Sequence, residues 1–399
     1  MNNLIGQLKG PKYDERLLFK NVRGLNLSFV SQTWKLTDSS DNNTDVTQVS
    51  TPISTSIPIT NRLLITINSS LVTSKSKAPE VVVDTSGKTT SLDQPANEME
   101  GMSDTRVSLS YVAPNDKLWI NGGINLPTGI KKLSTDQFKV SKMISQAGLG
   151  FRVPSTGQGV NTNLGLTYAY SYSRRIVLGF GASGTFKSTF EPVQIDILDT
   201  SAAKPKVDYN PGEEFSFNSG VNYISVNKDQ RFSSDVTFSY YLPDQINEKN
   251  TFQTGARING LFLFSQKFGP TNNLALLKAR FRLKNKIFSS DSLNTPTEYP
   301  SATQLEFQYN ISWSPAQIFT INGSLEYKFH TEDQFPLGDK IMKTGNVNML
   351  NYGVDITYPV TDWIVIMLAT KLGNGKLVVE GTEYNASGVD FGFGLKVSL

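Results

Sequence analysis

The chain has 399 residues, 38% of them hydrophobic and 18% charged, and its 38 basic and 35 acidic side chains leave a net charge of +3. This composition excludes a bundle of membrane-spanning helices, because the longest apolar run, Trp363 to Ala369, falls far short of the roughly 18 residues such a helix needs. It also excludes a charge-rich disordered chain and a polycation steered to nucleic acid.

There is no cysteine and one histidine, His330. Disulfides, Cys-ligated metals and sites built on two or more His are therefore excluded.

Residues 1–21 contain the apolar cluster Leu17, Leu18 and Phe19. Met1 to Gly10 holds no basic stretch leading into an apolar run. The expectation is that a signal peptide, if the protein is exported, has already been removed. Segment 1–21 then precedes the first strand, to plug a lumen, hang in the periplasm or bind a partner.

From residue 22 onward a period of two dominates. Leu63, Ile65, Ile67 and Leu71 form an early alternating run, followed by Leu118, Ile120, Ile124 and Leu126. Next come Leu164, Leu166, Tyr168, Tyr170 and Tyr172, then Phe232, Val236, Phe238, Tyr240 and Leu242. Leu305, Phe307, Tyr309, Ile311 and Trp313 continue the series, then Phe319, Ile321, Leu325, Tyr327 and Phe329. Val389 to Leu399 alternates strictly with Asp390, Gly392, Gly394, Lys396 and Ser398. Such alternation marks strands with one apolar and one polar face. No stretch shows a comparable helical period.

Tight-turn signals rich in Pro, Asn, Asp or Gly join pairs of runs at 57–62, 112–117, 172–175, 227–230, 269–273, 313–317 and 358–362. Longer polar segments lie between them at 38–45, 75–104, 127–160, 189–212, 243–250, 288–302, 330–345 and 371–386. Segment 141–155 reads either as a hairpin arm or as part of a loop folded over the mouth. Alternating short and long connections predict an up-and-down barrel with short periplasmic turns and long extracellular loops. Eight hairpins give about 16 strands, within a range of 14–18. So wide a barrel cannot fill its interior with one packed core, so the apolar face is expected against lipid. Aromatics near the turns, Tyr111, Trp119, Tyr172, Tyr240, Trp313, Tyr358 and Trp363, form the expected membrane-interface girdle.

Gly122-Gly123-Ile124-Asn125-Leu126-Pro127-Thr128-Gly129 resembles the Leu-Pro-Thr-Gly strand end of outer-membrane barrels of the phenol meta-pathway type and of FadL-like channels. Pro359-Val360-Thr361-Asp362 is similar to a turn of such barrels. The resemblance implies a passive uptake channel. Ending on Leu399 departs from the usual terminal aromatic, and residues 1–21 match no FadL-type hatch.

Lys278, Arg280, Arg282, Lys284 and Lys286 occupy one face of 277–287, opposite Leu277, Ala279, Phe281, Leu283 and Ile287. A cation facing lipid at the bilayer midplane costs about 2–4 kcal/mol, so this ladder is expected in the lumen. Arg257 adds to it, and Glu306, Glu326 and Asp355 share the lumen parity. Two readings stay open: an anion-attracting pore wall, or salt bridges that brace the barrel. His330, followed by Glu332 and Asp333, reads as an ordinary surface residue at a strand end on the extracellular side. Gly179-Phe180-Gly181-Ala182-Ser183-Gly184 matches G-x-G-x-x-G, yet no helix follows. Asp38, Asp41 and Asp45 lack calcium-loop spacing, and Glu98 and Glu100 read as solvated loop residues.

The expectation is an all-β chain: a segment 1–21, then a transmembrane antiparallel barrel over 22–399 in the bacterial outer membrane. It performs no chemistry and holds no cofactor or metal. Its partners are outer-membrane lipid, small anionic or aromatic solutes, and proteins bound through the loops or N-terminus, with no nucleic acid. The alternative is a structural barrel with a plugged lumen that anchors a surface or secretion assembly.

Overall fold

The computed structural model describes residues 19, 23–83, 89–92, 94–130, 132–191, 208–288, 296–315, 319–337 and 340–398. The expectations for the rest of segment 1–21, for parts of 189–212 and 288–302, and for Leu399 lie outside the described residues.

Seventeen antiparallel strand segments make one sheet, and two of them pair successively with the same neighbour, so the sheet has sixteen positions. In chain order these are β1 (Gly24–Thr37), β2 (Asn43–Thr60), β3 (Leu63–Lys77), β4 (Asn97–Met102 and Thr105–Val112) and β5 (Leu118–Leu126). Then follow β6 (Asn161–Ser171), β7 (Ile176–Lys187), β8 (Glu214–Ile224), β9 (Gln230–Tyr241), β10 (Arg257–Phe268) and β11 (Thr271–Arg282). The last five are β12 (Gln304–Trp313), β13 (Thr320–His330), β14 (Val347–Pro359), β15 (Ile364–Val379) and β16 (Thr382–Ser398). Each pairs with the next, and β1 pairs with β16 from Gly24↔Ser398 to Thr37↔Asn385, which closes the barrel. Closure gives every strand of the barrel a neighbour on both sides.

The alternation decides which face goes where. Leu25, Leu27 and Phe29 of β1 are exposed outward, as are Phe391 and Phe393 of β16 and Phe307, Tyr309 and Ile311 of β12. Their neighbours Gln32, Trp34 and Leu36 of β1 point inward and are buried. The belt has an upper limit. Phe29 pairs with Phe393, but further along β1 the outward positions are Ser31, Thr33 and Lys35, the last beside Ser387. The rim carrying the longer connections therefore stands clear of the apolar belt.

Three segments expected to be irregular contribute strand to the barrel. In 75–104, Glu98 and Glu100 are not loop residues but lie on β4, in register with Lys75 and Thr73 of β3. The 38–45 segment shrinks to a turn at Asp38–Asn42, where Asp38 accepts from Ser40 N, Asn42 N and Asn42 Nδ2. Its carboxylate shapes the turn rather than a metal site. The 371–386 segment is a hairpin turned at Glu380 and Gly381, both with positive φ. Polar residues there reflect strand above the belt, where neither face meets hydrocarbon. Other connections carry small accessory sheets, among them Asp333–Leu337 with Lys340–Thr344.

Segment 141–155 is no hairpin arm but part of the connection 127–160. That connection folds into the barrel and contains α1 (Thr135–Ile144), started by Ser134 Oγ accepting from Gln137 N and Gln137 Oε1 accepting from Ser134 N. That reciprocal cap is an S-x-x-Q signal and offsets the weak helical period of a ten-residue helix.

Candidate pore and its plug

The plug begins where the Leu-Pro-Thr-Gly motif ends β5. β4 is interrupted at Ser103 and Asp104, and the freed groups receive the motif: Thr128 Oγ1 donates to Ser103 O at 3.0 Å and accepts from Thr105 N at 2.8 Å. Asp104 takes Gly129 N on one oxygen (3.1 Å) and Gln158 N on the other (2.8 Å). One carboxylate thus ties together the entry and exit of the plug. Gly129 is required by proximity, since a Cβ there would sit 1.7 Å from Thr156 O.

Inside, two buried amides hold residues 150–153 as a strand-like strap. Gln48 Nε2 donates to Val153 O at 2.8 Å and Gln48 Oε1 accepts from Val153 N at 2.9 Å. Gln32 Oε1 accepts from Arg152 N at 2.6 Å, and its Nε2 reaches Gly150 O and Asp390 Oδ2. Buried backbone groups away from a sheet need such partners. Val140 and Ile144 of α1, Leu149 and the strap's own Phe151 join Trp34, Leu36, Val46, Met99, Val347, Met349, Leu377, Val379 and Ala386 in one apolar cluster. Its strand members come from β1, β2, β4 and β14–β16, in the part of the barrel above the belt.

The opposite wall is basic. Lys278, Arg280 and Arg282 are on the interior parity of β11, and Arg257 of β10 stands directly across from Arg282. Lys278 Nζ is 3.1 Å from Glu306 Oε2, and Arg282 Nη1 is 3.6 Å from Asp333 Oδ1. Arg280 donates to the neutral Asn259 Oδ1 (3.1 Å) and Gln304 Oε1 (2.7 Å). The Arg257 guanidinium lies 5.2 Å from the centre of the Tyr241 ring.

The expected five-residue ladder stops at Arg282, because β11 ends there. Lys284 follows β11 and lies 3.5 Å from Glu298, and Lys286 belongs to the short strand Asn285–Ile287 of an accessory sheet. Glu326 accepts from Lys371 and from Asn351 Nδ2 at 3.2 Å. Asp355 accepts from Asn322 Nδ2 at 2.6 Å.

His330 is not a surface residue. It points inward at the end of β13, 1% exposed, with Nε2 3.4 Å from Glu306 Oε1. The even parity of β13 places it beside Lys328, which is also buried and reaches toward Gly148 O of the plug at 3.5 Å. Sequence position at a strand end hid this, because the strand continues the interior wall above the belt.

Among the expected girdle residues, Tyr172, Tyr240, Trp313, Tyr358 and Trp363 are exposed on the outer face. Tyr111 pairs with Ile120 and shares its outward parity. Trp119 departs from the girdle. It pairs with Val112 on the interior parity and packs edge-on against Phe19, with ring centres 6.1 Å apart.

Gln32, Gln48, Lys328, Lys371 and Asp390 are polar residues at lumen parity that, taken singly, nothing in the sequence sets apart from other such residues. A usable signal was present in β1, where Gln32, Trp34 and Leu36 are successive bulky residues on the lumen face.

A closed sixteen-strand barrel with an apolar outer belt and polar, charged interior walls defines the class: a transmembrane β-barrel of the bacterial outer membrane. No protein-family model matches the sequence, and the search of curated proteins found no match. Among solved structures, the chain is similar in outline to a TodX deltaS2S3 mutant monoaromatic hydrocarbon channel, with TM-score 0.46, 11% identity and coverage of 94% of this chain and 90% of that one. It is likewise similar to OccK7 (OpdD) of Pseudomonas aeruginosa, with TM-score 0.41, 10% identity and coverage of 94% and 99%. A third is an outer-membrane channel from Pseudomonas putida F1, with TM-score 0.36, 10% identity and coverage of 98% and 99%. The class rests on this chain's own geometry.

Proposed function

We propose that the protein is a passive outer-membrane channel for small anionic solutes, aromatic acids among them. The observation that carries this reading is the placement of Arg257, Lys278, Arg280 and Arg282 on one interior wall, across from the wall that holds the plug. No strand of β7–β12 contributes to the apolar cluster, so solutes would pass along the basic side while the plug narrows the section. Selectivity then comes from width and wall charge. Membrane lipid surrounds the belt, the short turns face the periplasm and the longer connections face outward.

The test is single-channel recording in planar bilayers. The expected result is discrete steps with anion preference, weakened or reversed in Arg280→Glu with Arg282→Glu. Unchanged ion preference in that variant would reject the basic-wall reading.

The plug favours a second reading, a sealed structural barrel that anchors an assembly through its loops or N-terminus. Absent conductance together with co-purifying proteins would support it.

A further inference from the structure

The basic wall holds more charge than its acids neutralise, and the way it is held is informative. Glu306 is committed to Lys278 through Oε2 and faces His330 through Oε1. Asp333 Oδ1 takes Ala302 N at 2.7 Å and meets Arg282 only at 3.6 Å. Glu214 accepts from the Tyr241 hydroxyl at 3.1 Å. Among the described residues, neither Arg257 nor Arg280 has an acidic partner within 4.0 Å. Their supports are neutral: the Tyr241 ring for Arg257, and Asn259 and Gln304 for Arg280. Arg257 Nε and Arg282 Nε are shielded from solvent and have no hydrogen-bond partner among the described residues.

Like charges directly opposite on paired strands repel. A brace would place a carboxylate between them. Neutral supports instead fix the orientation of a guanidinium and leave its charge available. A planar guanidinium fork matches an oxyanion in geometry as well as sign.

Resting on the channel reading, we propose that Arg257, Arg280 and Arg282 form a discrete, saturable binding site for one small oxyanion, a carboxylate or phosphate, at the loop-side end of the basic wall. The anion supplies the charge that the surrounding acids do not. The site holds solute transiently during passage, so the wall acts by occupancy as well as by field. Arg257 and Arg280 carry the binding, and Asn259 and Gln304 are positioning residues for Arg280.

The test is calorimetric titration of the detergent-purified full chain with benzoate and, separately, with inorganic phosphate. The expected result is one saturable site for at least one of them, weakened at least tenfold by Arg257→Gln and by Arg280→Gln, and unchanged by Lys284→Gln. Preference between the two probes assigns the oxyanion. Should the glutamine variants fail to fold, Arg280→Lys keeps the charge and loses the fork, and a weakening of several-fold is expected. No saturable binding of either probe by the wild type, or equal weakening by Lys284→Gln, overturns the site. Anion-selective conductance without saturable binding overturns this inference alone, and binding without conductance overturns the channel reading alone.

Discussion

The indole of Trp34 occupies the space beside Gly388, its register partner across the β1–β16 seam. A Cβ on Gly388 would lie 2.3 Å from the ring, and one on Gly373, the next strand over, 2.4 Å. The seam that closes the barrel therefore also supplies part of the apolar cluster into which the plug packs. Trp34→Ala should cost about 3–5 kcal/mol, the range for deleting a large buried side chain. Gly388→Ala should destabilise the wild type but be tolerated in the Trp34→Ala background, because the clash has gone. Heat-modified gel migration of detergent-solubilised protein measures both, and simple additivity of the two losses would contradict the contact.

Gln48 holds the strap at both backbone groups of Val153. Gln48→Leu leaves those two buried groups unpaired, at about 1–3 kcal/mol each. The strap should loosen without the barrel unfolding. Trypsin should then cut after Arg152 in the variant at least tenfold faster than in the wild type, and mean conductance should rise. Equal cleavage would show that the apolar cluster alone secures the plug.

Gly129 and Asp104 make a more local prediction. Gly129→Ala forces a Cβ into Thr156 O, and Asp104→Ala frees Gly129 N and Gln158 N together. Either change should separate plug entry from exit and enhance cleavage after Lys132. The outer barrel strands should keep their thermal stability, because no strand pairing of β5 with β6 is touched.

The Asp38 turn carries a pH signature. The hydrogen bond from the Asn42 side chain holds its carboxyl below the usual carboxylate range, and the Asn42 and Ser40 amides act in the same direction. Its folded value is thus depressed, so its contribution is present above the ordinary carboxylate range and lost as pH falls through the folded value. Titrating Asn42 amide shifts by NMR should show this acid-side midpoint, and Asp38→Ala should abolish it.

The barrel was legible because lipid makes the period of two strict. Val389, Phe391 and Phe393 could only read as one outward face. Tight turns such as Pro359 to Asp362, alternating with the eight longer segments, made the number of hairpins readable. Illegible parts lie above the belt, where neither face is forced to be apolar. There the β15–β16 hairpin looked like a loop, and His330 looked exposed although it is enclosed. Lys284 and Lys286 keep the parity of the ladder in sequence although β11 ends at Arg282. Trp119 lies near a turn in sequence, as a girdle residue would, while its register with Val112 turns it inward. The motif at Leu126 to Gly129 was recognised as a strand end, but its partner, the break at Ser103 and Asp104, lies more than twenty residues away in sequence.

The central claim is that the apolar face meets hydrocarbon and the polar face encloses the interior. The chain has no cysteine, so single-cysteine variants need no background changes. Phe307→Cys and Phe393→Cys on the outer face, and Asn218→Cys and Ser54→Cys on the inner, can each carry a fluorophore in vesicles containing brominated lipid. The account predicts strong quenching at the first pair and little at the second. Quenching at Asn218 and Ser54 with none at Phe307 and Phe393 would contradict it.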